Sequence, residues 1–335
     1  MAGVKRERIE LAKKRLQNVL RTHIVATART LENKISDAGP TNQRIDPHIL
    51  TIARSELEAE HVVEIHRERE NAPPWYALAG TAEETLNPRL TELREVYNQT
   101  QDRLLNLRTG QALEIAVSKA LQTQQVLQSV GHFRDLNDHD DSTLYSKEEP
   151  PSQINGRACK GKLDFLLFTR DAGAAGIEVK NIREWVYSQS EEVLEMLQKC
   201  CALDVVPVLI ARRYAYEAFS VLTDCGVIVH QMYNQRYAQA DAALAEKVKD
   251  KRLLGYHDVR VGNEPDQRLI TFVHGNLPNL LPGARAKFDE NKELLEEYVT
   301  SDMGYAEFVT RVRGRYEEEP EEGGYGDYDP GCGDF

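Results

Sequence analysis

Apolar side chains recur at Ile9, Ala12, Leu16, Val19 or Leu20, and Ile24. This helical spacing predicts one or two helices over residues 6–36, closed by Gly39-Pro40. Asp46 then offers a cap and Pro47 a first helical position, and Ile49, Leu50, Ala53 and Leu57 share one face through about Glu60. Beyond it the period shortens. His61-Val62-Val63-Glu64-Ile65 and Trp75-Tyr76-Ala77-Leu78 read as strands around a polar loop over residues 67–74. Leu90, Leu93, Tyr97, Thr100 and Leu104 return to steps of three and four, predicting a connecting helix over 88–107 with a narrow apolar seam. Thr109-Gly110 should interrupt it, and a further helix should run from Gln111 to about Gln128.

Residues 135–161 are rich in acid and turn formers and read as an irregular excursion. The chain then reads strand 163–168, strand 176–180, helix 190–203, strand 205–211, helix 214–223 and strand 226–230. Short apolar strands alternating with helices predict an α/β sheet covered on both faces. A final α-rich region should hold strands near 258–261 and 269–273 and helices near 284–299 and 305–313.

The 335 residues, 41% of them hydrophobic, suffice for a substantial core and for more than one domain. The longest apolar stretch, residues 205–211, is far below the ~18 residues of a membrane helix. No apolar signal core follows Met1, so no membrane and a cytoplasmic location are expected. Five cysteines without a CxxC pair predict reduced thiols rather than a disulfide framework, a zinc ribbon or an iron-sulfur cluster. The net charge of -12 counts against a nucleic-acid partner, but much of the acid lies in the tail over 316–335. That tail is expected to be disordered. The first 80 residues are slightly basic.

Chemistry concentrates between residues 162 and 180. Leu163-Asp164-Phe165-Leu166-Leu167-Phe168 and Gly176-Ile177-Glu178-Val179-Lys180 are joined by a segment in which Asp171, Gly173 and Gly176 supply turn chemistry, so the two should pair as a hairpin. Asp164 then falls opposite or next to residue 178 or 179, and strand alternation places Lys180 on the face of Glu178. Their neighbours are apolar, where an uncompensated carboxylate costs several kcal/mol. A shared divalent ion removes that difficulty. Two carboxylates and a backbone carbonyl, here that of Val179, suit octahedral Mg²⁺, with Mn²⁺ as a substitute. Such an ion lowers the pKa of water and offsets charge on a phosphorane, and an adjacent ammonium orients the nucleophile.

An acid on one strand followed by Glu-x-Lys on the next resembles the PD-(D/E)XK nuclease superfamily, over roughly residues 111–231. The superfamily's proline before the first acid is replaced by Leu163. The resemblance implies a restriction-endonuclease-like mixed central sheet flanked by helices. It also implies metal-dependent DNA endonuclease chemistry of the kind used in restriction, repair or defence, with RNA open as a substrate. Asp164 and Glu178 would ligate metal and Lys180 would act on the nucleophilic water. The superfamily often adds a Glu from the preceding helix, and Glu114 matches it, three and seven residues before the core-facing Val117 and Leu121; it would ligate a second ion or hold a metal-bound water, the alternative being an ordinary surface Glu. The alternative is a non-catalytic DNA-binding or scaffold protein that keeps the nuclease fold.

The segment up to Ala79, helices followed by a hairpin with a charged tip, resembles a winged helix in order and length. That implies DNA contact through residues 47–60 in the groove and Arg67 and Arg69 on the wing, although Glu56, Glu58 and Glu60 make the helix acidic near its end. A protein-contact or dimerisation module is the alternative. The expected organisation is a winged-helix-like domain over 1–80, a connecting helix over 81–108, the nuclease core over 109–235, an α+β region over 236–315, and the tail. Arg212 and Arg213 could clamp phosphate or be solvated strand-end charges, and the acidic run over 135–141 reads as a solvated loop. No G-x-x-x-x-G-K-[ST] occurs, so an ATP-driven step would need a separate ATPase partner. Cutting both strands with one site per chain would call for a homodimer.

Overall fold

A three-residue strand divides the first apolar repeat into two helices. The computed structural model describes residues 2–37, 44–136, 141–170, 172–300 and 303–317. Helix α1 (Ala2–His23) ends where Ile24 takes a left-handed φ of 69°, and β1 (Val25–Thr27) leads directly into α2 (Ala28–Ile35). Thr27 caps α2 by accepting from the Thr30 amide at 3.2 Å. Helix α3 (Pro47–Ala59) starts on Asp46, whose carboxylate accepts from the His48 amide at 2.7 Å. Strands β2 (Val63–His66) and β3 (Trp75–Leu78) form an antiparallel sheet with β1, in the order β1-β3-β2. The sequence placed the first of these strands from His61. Instead His61 and Val62 donate back to Glu58 and Leu57, closing α3 before the strand begins. Leu16, Leu20, Leu31, Leu50, Leu57 and Tyr76 form the core of this module. The expected Gly39-Pro40 boundary lies outside the described residues.

Two helices follow, but their junction is not at Thr109-Gly110. Helix α4 (Glu83–Gln99) stops before Asp102, whose carboxylate accepts from the Leu105 amide at 2.8 Å and starts α5 (Arg103–Thr123). Gly110 lies inside α5, where a glycine costs about 1 kcal/mol relative to alanine without ending the helix. Leu104, expected on the seam of the connecting helix, is 42% exposed. The far end of α5 also differs from expectation. The Gln124 side chain accepts from the amides of Val126 and Leu127 at 2.7 and 2.6 Å, turning the chain into strand β4 (Gln128–Val130).

The predicted excursion contains two small hairpins. One joins β5 (His132–Phe133) to β6 (Lys147–Glu148) and the other β7 (Gln153–Ile154) to β8 (Arg157–Ala158). The main sheet adds β9 (Phe165–Thr169), β10 (Gly173–Lys180), β11 (Val206–Ala211) and β12 (Ile228–Gln231), in the order β12-β11-β10-β9-β4. Strands β10, β11 and β12 run parallel, and β9 pairs antiparallel with both β10 and β4, so the sheet is mixed. Helix α6 (Glu191–Leu203) connects β10 to β11, and α7 (Tyr216–Asp224) connects β11 to β12. The molecule is thus mixed α/β.

Alternation sorts the strands onto two cores. Phe165, Leu167, Ala175, Ile177 and Val208 pack with Leu113, Ala116, Val117 and Leu121 of α5. Leu166, Leu209 and Ala211 pack with Val193, Met196, Leu197 and Cys200 of α6. Gly176 is required on the second face, because a Cβ there would collide with Leu163 and crowd Cys200.

Residues beyond 235 complete both cores. Strands β13 (Gln235–Tyr237) and β14 (Val259–Val261) pair in parallel on either side of α8 (Ala242–Lys249). The strand expected over 269–273 is instead helical. Asp266 caps α9 (Gln267–Thr271) by accepting from the Leu269 amide at 3.0 Å, and a π-helical turn follows over Phe272–Asn276. Leu269, Phe272, Val273 and Leu277 enter the α5-side core. Helix α10 (Leu277–Val299) then contributes Phe288, Leu294 and Leu295 to the α6-side core, joined there by Phe308 and Val312 of α11 (Tyr305–Glu317). No described helix is long and apolar enough to cross a membrane.

Candidate functional site

The β9–β10 register ends with Phe165 paired to Ile177, and Asp164 immediately precedes β9, beside the stretch of β10 that carries Glu178. Two hydrogen bonds fix Asp164 in place. Its amide donates to the Ile177 carbonyl at 3.0 Å, and its Oδ2 accepts from the Val179 amide at 2.7 Å. Gly131, with φ of 100°, closes behind it, since a Cβ there would lie 2.8 Å from the Asp164 carbonyl oxygen. The turn residue Asp171 lies outside the described residues. Gly173 has the left-handed φ of 69° that a tight return needs.

Glu178 is 6% exposed and, like Lys180, lies on the α6 side of the sheet by alternation. Its Oε1 accepts from Lys180 Nζ at 2.9 Å and lies 3.6 Å from Lys199 Nζ of α6. Its Oε2 is buried without a hydrogen-bond partner among the described residues. Such an oxygen is costly unless a cation or donor meets it. Burial, reinforced by Asp164, lifts the Glu178 carboxyl above the usual carboxylate range, against the pull of Lys180 and Lys199. Burial also disfavours the Lys180 ammonium, but Glu178 outweighs that and holds it above the ordinary lysine value.

Glu114 reaches the site from α5, on the opposite side of the sheet, and does so through a lysine absent from the sequence reading. Lys147 of β6 places its Nζ 2.6 Å from Glu114 Oε2 and 3.3 Å from Asp164 Oδ1. The same ammonium lies 4.8 Å from the ring centre of Phe165 and 5.7 Å from that of Phe133. Burial, with Asp164 adding repulsion, pushes the Glu114 carboxyl up to about 7 despite Lys147. Asp164, Glu178, Lys180 and Glu114 therefore form one neighbourhood, with Asp164 between carboxylates that approach from the two faces. Val179 contributes its amide to Asp164 and its side chain to the α5-side core.

The donors are carboxylate oxygens, the set a hard divalent cation prefers, and the partnerless Glu178 Oε2 is an oxygen such an ion would satisfy. In chemistry, Asp164 and Glu178 fit Mg²⁺ or Mn²⁺. Among the described residues, however, no three His, Cys, Asp or Glu side chains converge tightly enough to hold a metal ion by themselves. Lysine ammoniums stand among the carboxylates instead.

Arg212 and Arg213 are neither solvated nor free for phosphate. Arg212 is 1% exposed, with Nη1 at 3.1 Å from Asp37 and 2.7 Å from Asp258. Arg183 pairs with the same two carboxylates at 3.3 and 2.6 Å. Arg213 is also buried and lies over the ring of Tyr233. These pairs span 146, 175, 75 and 46 residues in sequence, so no local spacing could have announced them. In the acidic run, residues 137–140 lie outside the described set, and Asp141 is buried as the acceptor of Tyr145 and of the Gln239 amide. That corrects the solvated reading for Asp141.

Compared with protein-family models, curated proteins and solved structures, the chain matches none.

Proposed function

We propose that the chain is a metal-dependent DNA endonuclease of the PD-(D/E)XK, restriction-endonuclease-like kind. The observation that carries this reading is the partnerless, buried Glu178 Oε2 on the residue next to Val179, whose amide holds Asp164, with Lys180 Nζ at 2.9 Å from the same Glu178 carboxylate. Buried carboxylate oxygens are as a rule met by a donor or a cation, and a divalent ion would meet this one.

In this reading Asp164 and Glu178 hold one divalent ion, Mg²⁺ or Mn²⁺, which supplies charge neutralisation and acidification of water at the scissile phosphate. Lys180 orients the attacking water and donates toward the charge that develops on phosphate oxygen. Lys199 keeps Glu178 directed to the same side of the sheet. The Val179 amide fixes the Asp164 rotamer, so the two carboxylates are positioned before substrate arrives.

The order of elements in residues 2–78, helix, strand, two helices and two antiparallel strands, supports a winged-helix-like module for DNA contact. The acid that counted against α3 is largely neutralised within the module. Glu56 and Glu60 pair with Lys13 at 2.7 and 2.6 Å, and Arg6 reaches Glu56 at 2.9 Å. His48, Thr51 and Ser55 are exposed on α3, and Arg67 and Arg69 at the β2–β3 turn.

A second reading, a DNA-binding or scaffold protein that has kept the fold without catalysis, draws on the lysines that already neutralise the carboxylates. A cleavage panel in Mg²⁺ and in Mn²⁺ separates the two. Linear, nicked, branched and single-stranded DNA and matching RNA would be offered to the full chain. Metal-dependent cutting of at least one substrate supports the nuclease, whereas duplex binding without cutting of any of them supports the scaffold.

A further inference from the structure

A two-metal site would need Glu114 as a ligand, and Glu114 is already engaged. Lys147 Nζ contacts Glu114 Oε2 at 2.6 Å and Asp164 Oδ1 at 3.3 Å, occupying the space between the two carboxylates. Its side chain is 7% exposed. The position is a built one. Phe133 and Phe165 lie under the ammonium, with ring centres 5.7 and 4.8 Å away, within reach of cation–π attraction.

The backbone that carries Lys147 is also fixed. Lys147 pairs with Phe133 in the β5–β6 ladder, and the Arg134 amide donates to the Ser146 carbonyl at 3.0 Å. Gln111 of α5 clamps Tyr145 by two bonds, donating to its carbonyl at 3.0 Å and accepting from its amide at 2.8 Å. Gln111 lies one helical turn before Glu114, so one helix positions both the lysine and its carboxylate partner.

On the other side of the constellation Glu178 Oε1 meets Lys180 Nζ at 2.9 Å and Lys199 Nζ at 3.6 Å, which leaves its second oxygen to be met. Glu178 Oε2 is buried without a partner, and Asp164 Oδ1 has no closer cation than Lys147 at 3.3 Å. We propose that Lys147 is the built-in second cation of this site: the chain takes one divalent ion, between Asp164 and Glu178, and the ammonium stands where a second ion would bind. The inference rests on the metal-dependent reading given above. Lys147 is a positioning residue in it. It holds Glu114 and Asp164 in place and does not touch substrate.

Mn²⁺ titration of the full chain without nucleic acid tests this, by calorimetry and by counting free Mn²⁺ with paramagnetic resonance. The wild-type chain should bind one ion, and Asp164→Asn or Glu178→Gln should abolish binding. Lys147→Gln should bind two ions, because it leaves Glu114 and Asp164 uncompensated, and Lys147→Arg should bind one. Glu114→Gln should keep one ion, with affinity changed by less than about threefold.

Two ions on the wild-type chain overturn the proposal, as does a Lys147→Gln chain that melts like wild type and still binds one. If Lys147→Gln does not fold, the wild-type count and Glu114→Gln decide: loss of an ion on Glu114→Gln contradicts the proposal. A wild-type chain that binds no Mn²⁺, or binds it equally well after Glu178→Gln, defeats the metal-dependent reading itself and is distinct from these results.

Discussion

At the residue scale, the site depends on backbone positions as much as on charged side chains. Asp164 is held by the Ile177 carbonyl and the Val179 amide, and Gly131 leaves just enough room behind it. Gly131→Ala should therefore destabilise the fold by about 1–3 kcal/mol, because φ of 100° strains any L side chain and the new Cβ presses on the Asp164 carbonyl. Thermal melting with a cleavage assay checks this, and a variant that melts and cuts like wild type would contradict the close approach. Asp164, Glu178 and Lys180 were legible from sequence because hairpin register and strand alternation are local rules. Lys147 was not. It sits on a two-residue strand in a polar segment, and its position is set through Tyr145, which the Gln111 side chain clamps from 34 residues away.

At the scale of elements, apolar period and capping residues located most helices and strands, and errors arose where the two signals disagreed. The residues Leu269-Ile270-Thr271-Phe272-Val273 carry a β-like composition, yet Asp266 caps them as a helix that packs over β12. There Phe272 stacks on His230 with ring centres 4.0 Å apart. Burial, with the nearby Arg268 charge, pushes His230 down to about 4, so the ring is neutral where it stacks. Phe272→Ala should cost about 3–5 kcal/mol, as much as Phe165→Ala at the centre of the sheet. Urea unfolding of the two variants provides the comparison. A Phe272→Ala chain whose main transition is unmoved would mean that the segment after 266 folds apart from the sheet.

Across the whole molecule, one buried ion network joins distant parts of the chain. Asp37 follows α2, Arg183 and Arg212 follow β10 and β11, and Asp258 precedes β14. Burial alone would raise both carboxyls, but the guanidiniums outweigh it and hold Asp37 and Asp258 below the usual carboxylate range. Their folded values lie below the unfolded value of about 3.9, so in acid the unfolded chain binds more protons than the folded one. The stability they contribute is present above about pH 4 and is lost as pH falls through the folded values. Melting from pH 6 to pH 2 should show this decline. Asp258→Asn should melt lower at pH 6 and decline less steeply in acid. An Asp258→Asn curve parallel to wild type would remove the network from the acid response.

The same network ties the segment after α2 to the strand ends that lead away from Glu178 and Lys180. Whether the site cuts is the central claim, and single-turnover cleavage by wild type and Glu178→Gln tests it most directly. Both chains would be matched by melting temperature and offered the same DNA in Mg²⁺. The account predicts cutting by wild type that stops in EDTA and falls at least about a hundredfold in Glu178→Gln. Cutting by Glu178→Gln at the wild-type rate would contradict it.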